Sequence, residues 1–247
     1  MDRQEIHEIN GRYWDETGND VLQAVVLPRY GAFTSEERCH LLPDVAGKRV
    51  LEIGCGDGRS LCYMGERQAA ELWGVDLSEG QLERARRHLA DAGLSARLIA
   101  SPMEEDCGLP AGYFDLVYSI YALGWTTDLE GVLSRIASYL VPGGVFVFSW
   151  SHPIHKCVTE EEGKWVFQKP YFDESWYDVP LPLGGGALKL CDRKLSTYIN
   201  ALAGAGFVVE RMVEETDEAL LQAGGDSPLA RRARMFPTTF VIAARKA

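Results

Sequence analysis

The stretch Val50-Leu51-Glu52-Ile53-Gly54-Cys55-Gly56-Asp57-Gly58 sets the reading of the whole chain. An apolar run ends in glycines at alternate positions, so a buried strand turns sharply and leaves its backbone bare. The residues after Gly58 read as a helix, whose free N–H groups and positive dipole end face that turn. A second apolar run, Leu72-Trp73-Gly74-Val75, ends in Asp76 and continues as Leu77-Ser78. In an open parallel α/β sheet such an acid stands at the carboxyl edge of the neighbouring strand, where it accepts hydrogen bonds from both hydroxyls of a ribose. The pattern calls for a nucleoside-bearing ligand.

Outward from this stretch, strands and helices alternate. The expected strands are 49–53, 71–75, 97–100, 113–119 and 145–149, with helices over 60–68, 79–92 and 128–140. Ser78-x-x-Gln81 reads as a capping box and Gly93 as a stop. Such alternation means a parallel sheet with right-handed crossovers. The rhythm breaks at 151–193, a stretch rich in aromatics (Trp165, Tyr171, Phe172, Trp176, Tyr177) and containing Gly184-Gly185-Gly186. A connection this long is usually functional, and its aromatic content predicts an ordered lid. A helix over 194–203 and strands over 207–214 and 238–245 complete the sheet. Before it, 1–44 reads as a helical cap: Ile6, Ile9 and Tyr13 share one helix face, 27–31 is a turn, and Thr34-Ser35-Glu36-Glu37 opens a short helix ending near Pro43.

Spacing separates two classes of nucleoside cofactor. The dinucleotide fingerprint is G-x-G-x-x-G, but here the third glycine comes one residue early, at Gly58, which disfavours a nicotinamide oxidoreductase. The short glycine turn preceded by Glu52 resembles motif I of the class I S-adenosylmethionine-dependent methyltransferases, in particular their small-molecule branch. The resemblance extends to Asp76, to Phe114-Asp115-Leu116-Val117-Tyr118-Ser119 as the fourth strand and to Leu140-Val141-Pro142-Gly143-Gly144 before the fifth. It covers residues 45–150 firmly and the flanks loosely.

That resemblance implies a doubly wound, Rossmann-like, seven-stranded and mostly parallel sheet with an antiparallel last strand and a lid inserted after strand five. The domain would span 45–247, behind the cap of 1–44. The implied cofactor is S-adenosyl-L-methionine. Glu52, Gly54, Cys55 and Gly56 would support its methionine end, Asp76 and Leu77 the ribose, and Pro102, Met103 and Glu104 the adenine, with Ser101 standing where an acid is common. Tyr13 and Trp14 in the cap could close over it, or pack outside the sheet. Ser119 and Tyr121 would border the reacting centre, and Tyr121 or Trp125 could face the sulfonium, because a cation prefers an aromatic face to plain hydrocarbon. Trp125, His155, Tyr171 and Trp176 are the candidate acceptor-binding residues.

Methyl transfer from a sulfonium needs alignment first, and a base only where the acceptor must lose a proton. His152, in Ser149-Trp150-Ser151-His152-Pro153, leaves the carboxyl edge of strand five and titrates in the useful range, so it is the candidate base beside Tyr121. It could equally hydrogen-bond the lid. His152-x-x-His155-x-Cys157 lacks an established metal-ligand spacing and a fourth partner, so no metal is expected. Neither a phosphate-binding loop nor a G-x-S-x-G elbow is present, and no Asn/Asp-Pro-Pro-Tyr/Phe follows strand four. Two other readings use the same fold: a non-methylating enzyme that cyclises or transfers the aminocarboxypropyl group, and a cofactor-binding subunit without turnover.

The bulk composition agrees. The 247 residues are 46% hydrophobic, enough for one domain with a sizeable core. A formal charge of −11 disfavours nucleic acid as partner, since that affinity rests on Lys and Arg neutralising phosphates. The six cysteines form no C-x-x-C pair and read as reduced thiols. The amino terminus has no basic-then-apolar signal pattern and no apolar run reaches membrane-spanning length. A soluble cytoplasmic protein acting on a small-molecule acceptor is the expectation, and the oligomeric state is open.

Overall fold

The fold is taken from a computed structural model that describes residues 3–16, 25–180 and 187–247. The glycine triplet 184–186 and parts of the expected cap lie outside the described residues. The chain opens with helix α1 (Arg3–Glu16), a small hairpin of β1 (Arg29–Gly31) and β2 (Thr34–Ser35), and the single turn α2 (Glu36–Cys39). Alternation then begins: β3 (Arg49–Ile53), α3 (Arg59–Glu66), β4 (Glu71–Asp76), α4 (Glu79–Asp91), β5 (Arg97–Ala100), β6 (Phe114–Ile120), α5 (Leu129–Tyr139) and β7 (Leu140–Ser151). The connection that follows holds α6 (Pro153–Cys157) and two hairpins, β8 (Val158–Glu161) with β9 (Lys164–Phe167) and β10 (Trp176–Pro180) with β11 (Ala187–Cys191). The chain closes with α7 (Leu195–Gly204), β12 (Phe207–Val213), α8 (Glu218–Ala223), α9 (Pro228–Ala233) and β13 (Thr239–Lys246).

Among the described residues one seven-stranded sheet runs in the order β12-β13-β7-β6-β3-β4-β5. Only β13 opposes the rest, pairing antiparallel with both β12 and β7. The expected doubly wound sheet with its reversed last strand is therefore present. Side-chain alternation sorts each central strand into two cores: Leu51 and Ile53 of β3 and Phe146, Phe148 and Trp150 of β7 pack towards α5 and α7. Val50, Val145 and Val147 pack on the other face, towards Leu61 and Met64 of α3 and Leu82 and Leu89 of α4. Each such fully buried aliphatic side chain contributes about 1.5–3 kcal/mol.

Several details differ from the sequence reading. Pro142, Gly143 and Gly144 do not separate helix from strand, because β7 starts at Leu140 and pairs at once with Phe114. Ser78 caps α4 by accepting from the Gln81 N–H at 3.0 Å, but the reciprocal half of the box is absent. The Ser78 N–H goes to Asp76 Oδ1 at 2.9 Å, which frees the Gln81 amide to reach the carbonyl of Trp14 at 3.2 Å. The hairpin of β1 and β2 and the helices α8 and α9 were not expected. All are too short to carry a hydrophobic period.

Candidate active site

The floor of the site is backbone. After Ile53 the chain bends, and the N–H groups of Gly54 and Cys55 both donate to the Val75 carbonyl, at 2.8 and 3.0 Å. This ties the turn to the end of β4. Gly54 and Gly56 have φ of 71° and 49°. A Cβ on Gly54 would lie 2.1 Å from Cβ of Ala122, whereas one on Gly56 would meet nothing within 4 Å. The bare backbone of Gly56 thus borders open space, the kind of cradle that a bound group fills and a side chain would obstruct. Asp76 stands beside it, with Oδ2 accepting from the Gly56 N–H at 2.8 Å and Oδ1 from Ser78 N–H at 2.9 Å. Each carboxylate oxygen has a second lone pair, which suits a vicinal diol. Burial pushes its carboxyl above the ordinary range, against the two N–H bonds that hold it charged.

A cleft of about 770 Å³, counting the solvent at its mouth, opens above this floor. Its roof comes from His7, Asn10 and Trp14 of α1 and from Tyr121 and Trp125 beyond β6. Helix α1 is held down along its length. Asp15 Oδ1 accepts from Ser78 Oγ at 2.6 Å and from the Gly80 N–H at 3.0 Å, and Arg84 donates to the Trp14 carbonyl at 2.8 Å. His7 Nε2 lies 3.3 Å from Glu104 Oε2. The Asn10 amide donates to the Lys189 carbonyl and accepts from its N–H, both at 3.0 Å. Trp125 meets Trp14 and Trp150 edge-on, each with ring centroids 5.6 Å apart. Tyr121 is a non-glycine residue at φ 52°, a strained conformation of the kind that clusters at functional sites. Its hydroxyl shares a 2.6 Å hydrogen bond with Thr239 Oγ1, and burial pushes it up to about 12, so it stays neutral at physiological pH.

A second, smaller cavity of about 430 Å³ shares Gly54, Gly56, Gln81 and Ile120 with the cleft and adds Glu52, Cys55 and Asp57. Glu52 is buried, accepts from the Tyr118 hydroxyl at 3.2 Å, and is driven well above the usual carboxylate range, mainly by desolvation. A buried acid of this kind gains most from a cationic partner. The two cavities are joined at the glycine turn, with Asp76 lining one and Glu52 the other.

Comparison with known proteins agrees. Residues 50–144 match the profile of a methyltransferase domain family. The chain is 33% identical over 192 residues to an uncharacterized protein of Haemophilus influenzae, covering 70% of this chain and 72% of that one. A crystal structure of an S-adenosylmethionine dependent methyltransferase from Mesorhizobium loti superposes with a TM-score of 0.70 at 29% identity, covering 84% of this chain and 95% of that one. The chain belongs to the class I S-adenosylmethionine-dependent methyltransferases. This methyltransferase is also 36% identical over 107 residues to aklanonic acid methyltransferase DauC of a Streptomyces species, covering 42% of this chain. There it spans about half (49%) of the relative's length. It is an enzyme of the small-molecule type, and its cofactor is S-adenosylmethionine.

The structure brings Gly54, Gly56, Asp76, Leu77, Pro102, Met103, Glu104, Tyr121 and Trp125 to the cleft, and Glu52 and Cys55 to the adjoining cavity. Glu104 reaches the wall with its carboxylate committed: Oε1 accepts from Thr126 Oγ1 and the Thr127 N–H, both at 2.7 Å, and Oε2 faces His7. It ties α1 to the turn after β6. Tyr13 is not in the wall; its neighbour Trp14 is, with Tyr13 edge-on to it at 5.0 Å. Ser119 is fully buried within the sheet, its Oγ without a hydrogen-bond partner among the described residues.

His152, His155, Tyr171 and Trp176 do not line the cleft. His152 caps α6, its Nδ1 accepting from the Ile154 N–H at 3.2 Å, and its Nε2 lies 2.6 Å from Glu214 Oε1. Both nitrogens are engaged, so no lone pair is left for an acceptor. His155 packs against Arg232 at 3.3 Å and is pulled down to about 3 by burial. Tyr171 accepts from the Leu195 N–H at 3.3 Å, and the Trp176 ring lies beside the Arg193 guanidinium. No described residue of 151–193 lines either cavity. The expected lid touches the cleft only through other segments. Trp14, expected together with Tyr13 to close over the cofactor, is in the wall. His7, Asn10 and Gln81 were missed; Asn10, a polar residue four positions after Ile6 on the buried face of α1, was the available signal. No group of three or more His, Cys, Asp or Glu side chains among the described residues could hold a metal ion. No helix among them is long and apolar enough to cross a membrane.

Proposed function

We propose that this methyltransferase acts on a small, flat, largely apolar acceptor that approaches the cofactor beneath α1, against Trp14, Tyr121 and Trp125. The observation that carries this is the state of the polar groups in the roof. His7 Nε2, the Asn10 amide and the Glu104 carboxylate each already have a protein partner, which leaves aromatic faces as the free surface. A strongly polar acceptor would lose water there without replacing its hydrogen bonds. A hydroxyarene or similar conjugated nucleophile would not.

The residues fit the cofactor in three parts. Asp76 would take the ribose hydroxyls, Glu52 the ammonium group, and Met103 and Leu77 the faces of the adenine. When bound, the cofactor supplies a methyl group on a positively charged sulfur, a good leaving group that needs no activation. Tyr121 and Trp125 would present aromatic faces towards that charge, worth about 0.5–2 kcal/mol. Ordering both reactants under one roof can supply about 7–11 kcal/mol. The sequence reading gave His152 the role of base; the proposed reaction uses none from that residue.

The test is incubation of the full chain with S-adenosylmethionine and a panel of hydroxyarenes, with products read by mass spectrometry. S-adenosylhomocysteine together with a methylated arene is the expected result. Methylthioadenosine would indicate aminocarboxypropyl chemistry instead, and turnover confined to polar, non-aromatic acceptors would overturn the acceptor class.

A further inference from the structure

We propose that Arg193 and Asn10 are positioning residues, and that the role of the segment after β7 is to set the two indoles that roof the cleft. This rests on the reading of that cleft as the cofactor site. The side chain of Arg193, two residues after β11 ends, is only 9% exposed. Its guanidinium donates to the carbonyls of Gly124 and Thr126, at 3.3 and 2.5 Å, which are the two residues flanking Trp125. A planar fork holds two carbonyls in fixed relation in a way that a single ammonium does not. Below, the turn lies flat on Trp150: a Cβ on Gly124 would come within 1.8 Å of the Trp150 ring. Trp125 is therefore clamped between a buried cation and a buried indole.

Strand β11 itself holds the other indole. The Asn10 side chain is 4% exposed and exchanges a pair of hydrogen bonds with the backbone of Lys189, as a neighbouring strand would. Trp14 follows one helical turn later on α1 and meets Trp125 edge-on. Residues 189 and 193 thus fix Trp14 and Trp125 against each other from outside the cleft. This accounts for Trp176 as well, whose ring centroid lies 5.9 Å from the Arg193 guanidinium, so that it covers the clamp instead of an acceptor. A buried charge is costly to leave unpaired, and Gly124, Thr126 and Trp176 together supply its surroundings.

The experiment compares the full chain with Arg193→Leu, Arg193→Lys and Asn10→Ala. S-adenosylhomocysteine affinity is measured by calorimetry, and the coupling between the indoles by exciton circular dichroism, with Trp14→Phe marking the signal that belongs to the Trp14–Trp125 pair, because Trp125 also meets Trp150. The expected result for Arg193→Leu and Asn10→Ala is loss of that signal and affinity weakened by about tenfold. Arg193→Lys should fall between, since one ammonium reaches one carbonyl. Unchanged signal and affinity in these variants would overturn the proposal. Where Arg193→Leu does not fold, Arg193→Lys and Asn10→Ala decide it on the same criteria. A parent chain that binds no S-adenosylhomocysteine overturns the cofactor reading and the proposal with it, an outcome distinct from variants that bind as the parent does.

Discussion

The floor and the roof of the cleft are built on opposite principles. The floor is main chain at the ends of adjacent parallel strands: the turn after β3, the end of β4 and one carboxylate that binds both, through the N–H groups of Gly56 and Ser78. The roof is side chain from α1 and the turn after β6, held from outside by β11 and Arg193; these segments are far apart in the chain and meet through pairs such as Asn10 with Lys189 and Arg193 with Gly124. A backbone floor can serve any chain with the same turn, while a side-chain roof is particular to one. On the proposed reading the floor would answer for the cofactor and the roof for the acceptor.

Loss of Asp76 should undo the floor and leave the roof standing. Asp76→Ala removes the proposed diol acceptor and unlatches the Gly56 and Ser78 N–H groups together. Two charge-assisted bonds lost should weaken S-adenosylhomocysteine roughly hundredfold or more by calorimetry. Trp14→Ala opens the roof but leaves the floor whole, so the expected loss is smaller, about tenfold for the same ligand. A larger effect at Trp14 than at Asp76 would reverse the assignment of the two halves.

Glu52 sharpens it through pH. Burial holds its carboxyl well above its ordinary 4.5, so the folded chain retains a proton that the unfolded chain releases. Stability is then fullest below 4.5, where both states hold the proton, and declines as pH rises towards the folded value. Glu52→Gln cannot titrate. The unliganded variant should unfold at a higher temperature than the parent at neutral pH, with the gap closing on acidification. It should also bind S-adenosylhomocysteine more weakly, because an amide does not neutralise the ligand's ammonium. A variant both less stable at neutral pH and equally tight would remove Glu52 from the cofactor.

How much of this was legible follows the same division. The bounds of β3 and β5 were read directly, since each is a short apolar run within the strand–helix alternation, and Gly54, Gly56 and Asp76 reached the cleft because strand ends in a parallel sheet determine where they lie. The roof was not legible, because nothing local to Asn10 specifies Lys189 and nothing local to Trp125 specifies Arg193. The aromatic richness of 151–193 was misread as a cleft lining. Those rings pack away from the cleft, as in the edge contact of Trp165 with Phe236, beyond α9, at 5.4 Å. One signal was available and not used: Pro153 at the first position of α6 marks His152 as the residue that caps it.

His152 gives the smallest effect and the last test of the division. Its Nδ1 accepts from Ile154, so the proton sits on Nε2 and points to Glu214. Burial lowers its pKa below the ordinary 6.5, with Glu214 pulling partly back. A depressed base binds its proton more weakly when folded, so this residue contributes stability above 6.5 that is lost as pH falls. His152→Gln should cost about 1 kcal/mol at neutral pH through the weakened cap. Its unfolding should depend less on acidification than the parent's. Methyl transfer to whichever arene is turned over should stay within about twofold in rate, with the pH profile unmoved, far below the tenfold steps of a catalytic loss. A rate that collapses while the unfolding temperature holds would put His152 back at the reacting centre, and the segment after β7 would then contribute chemistry as well as support.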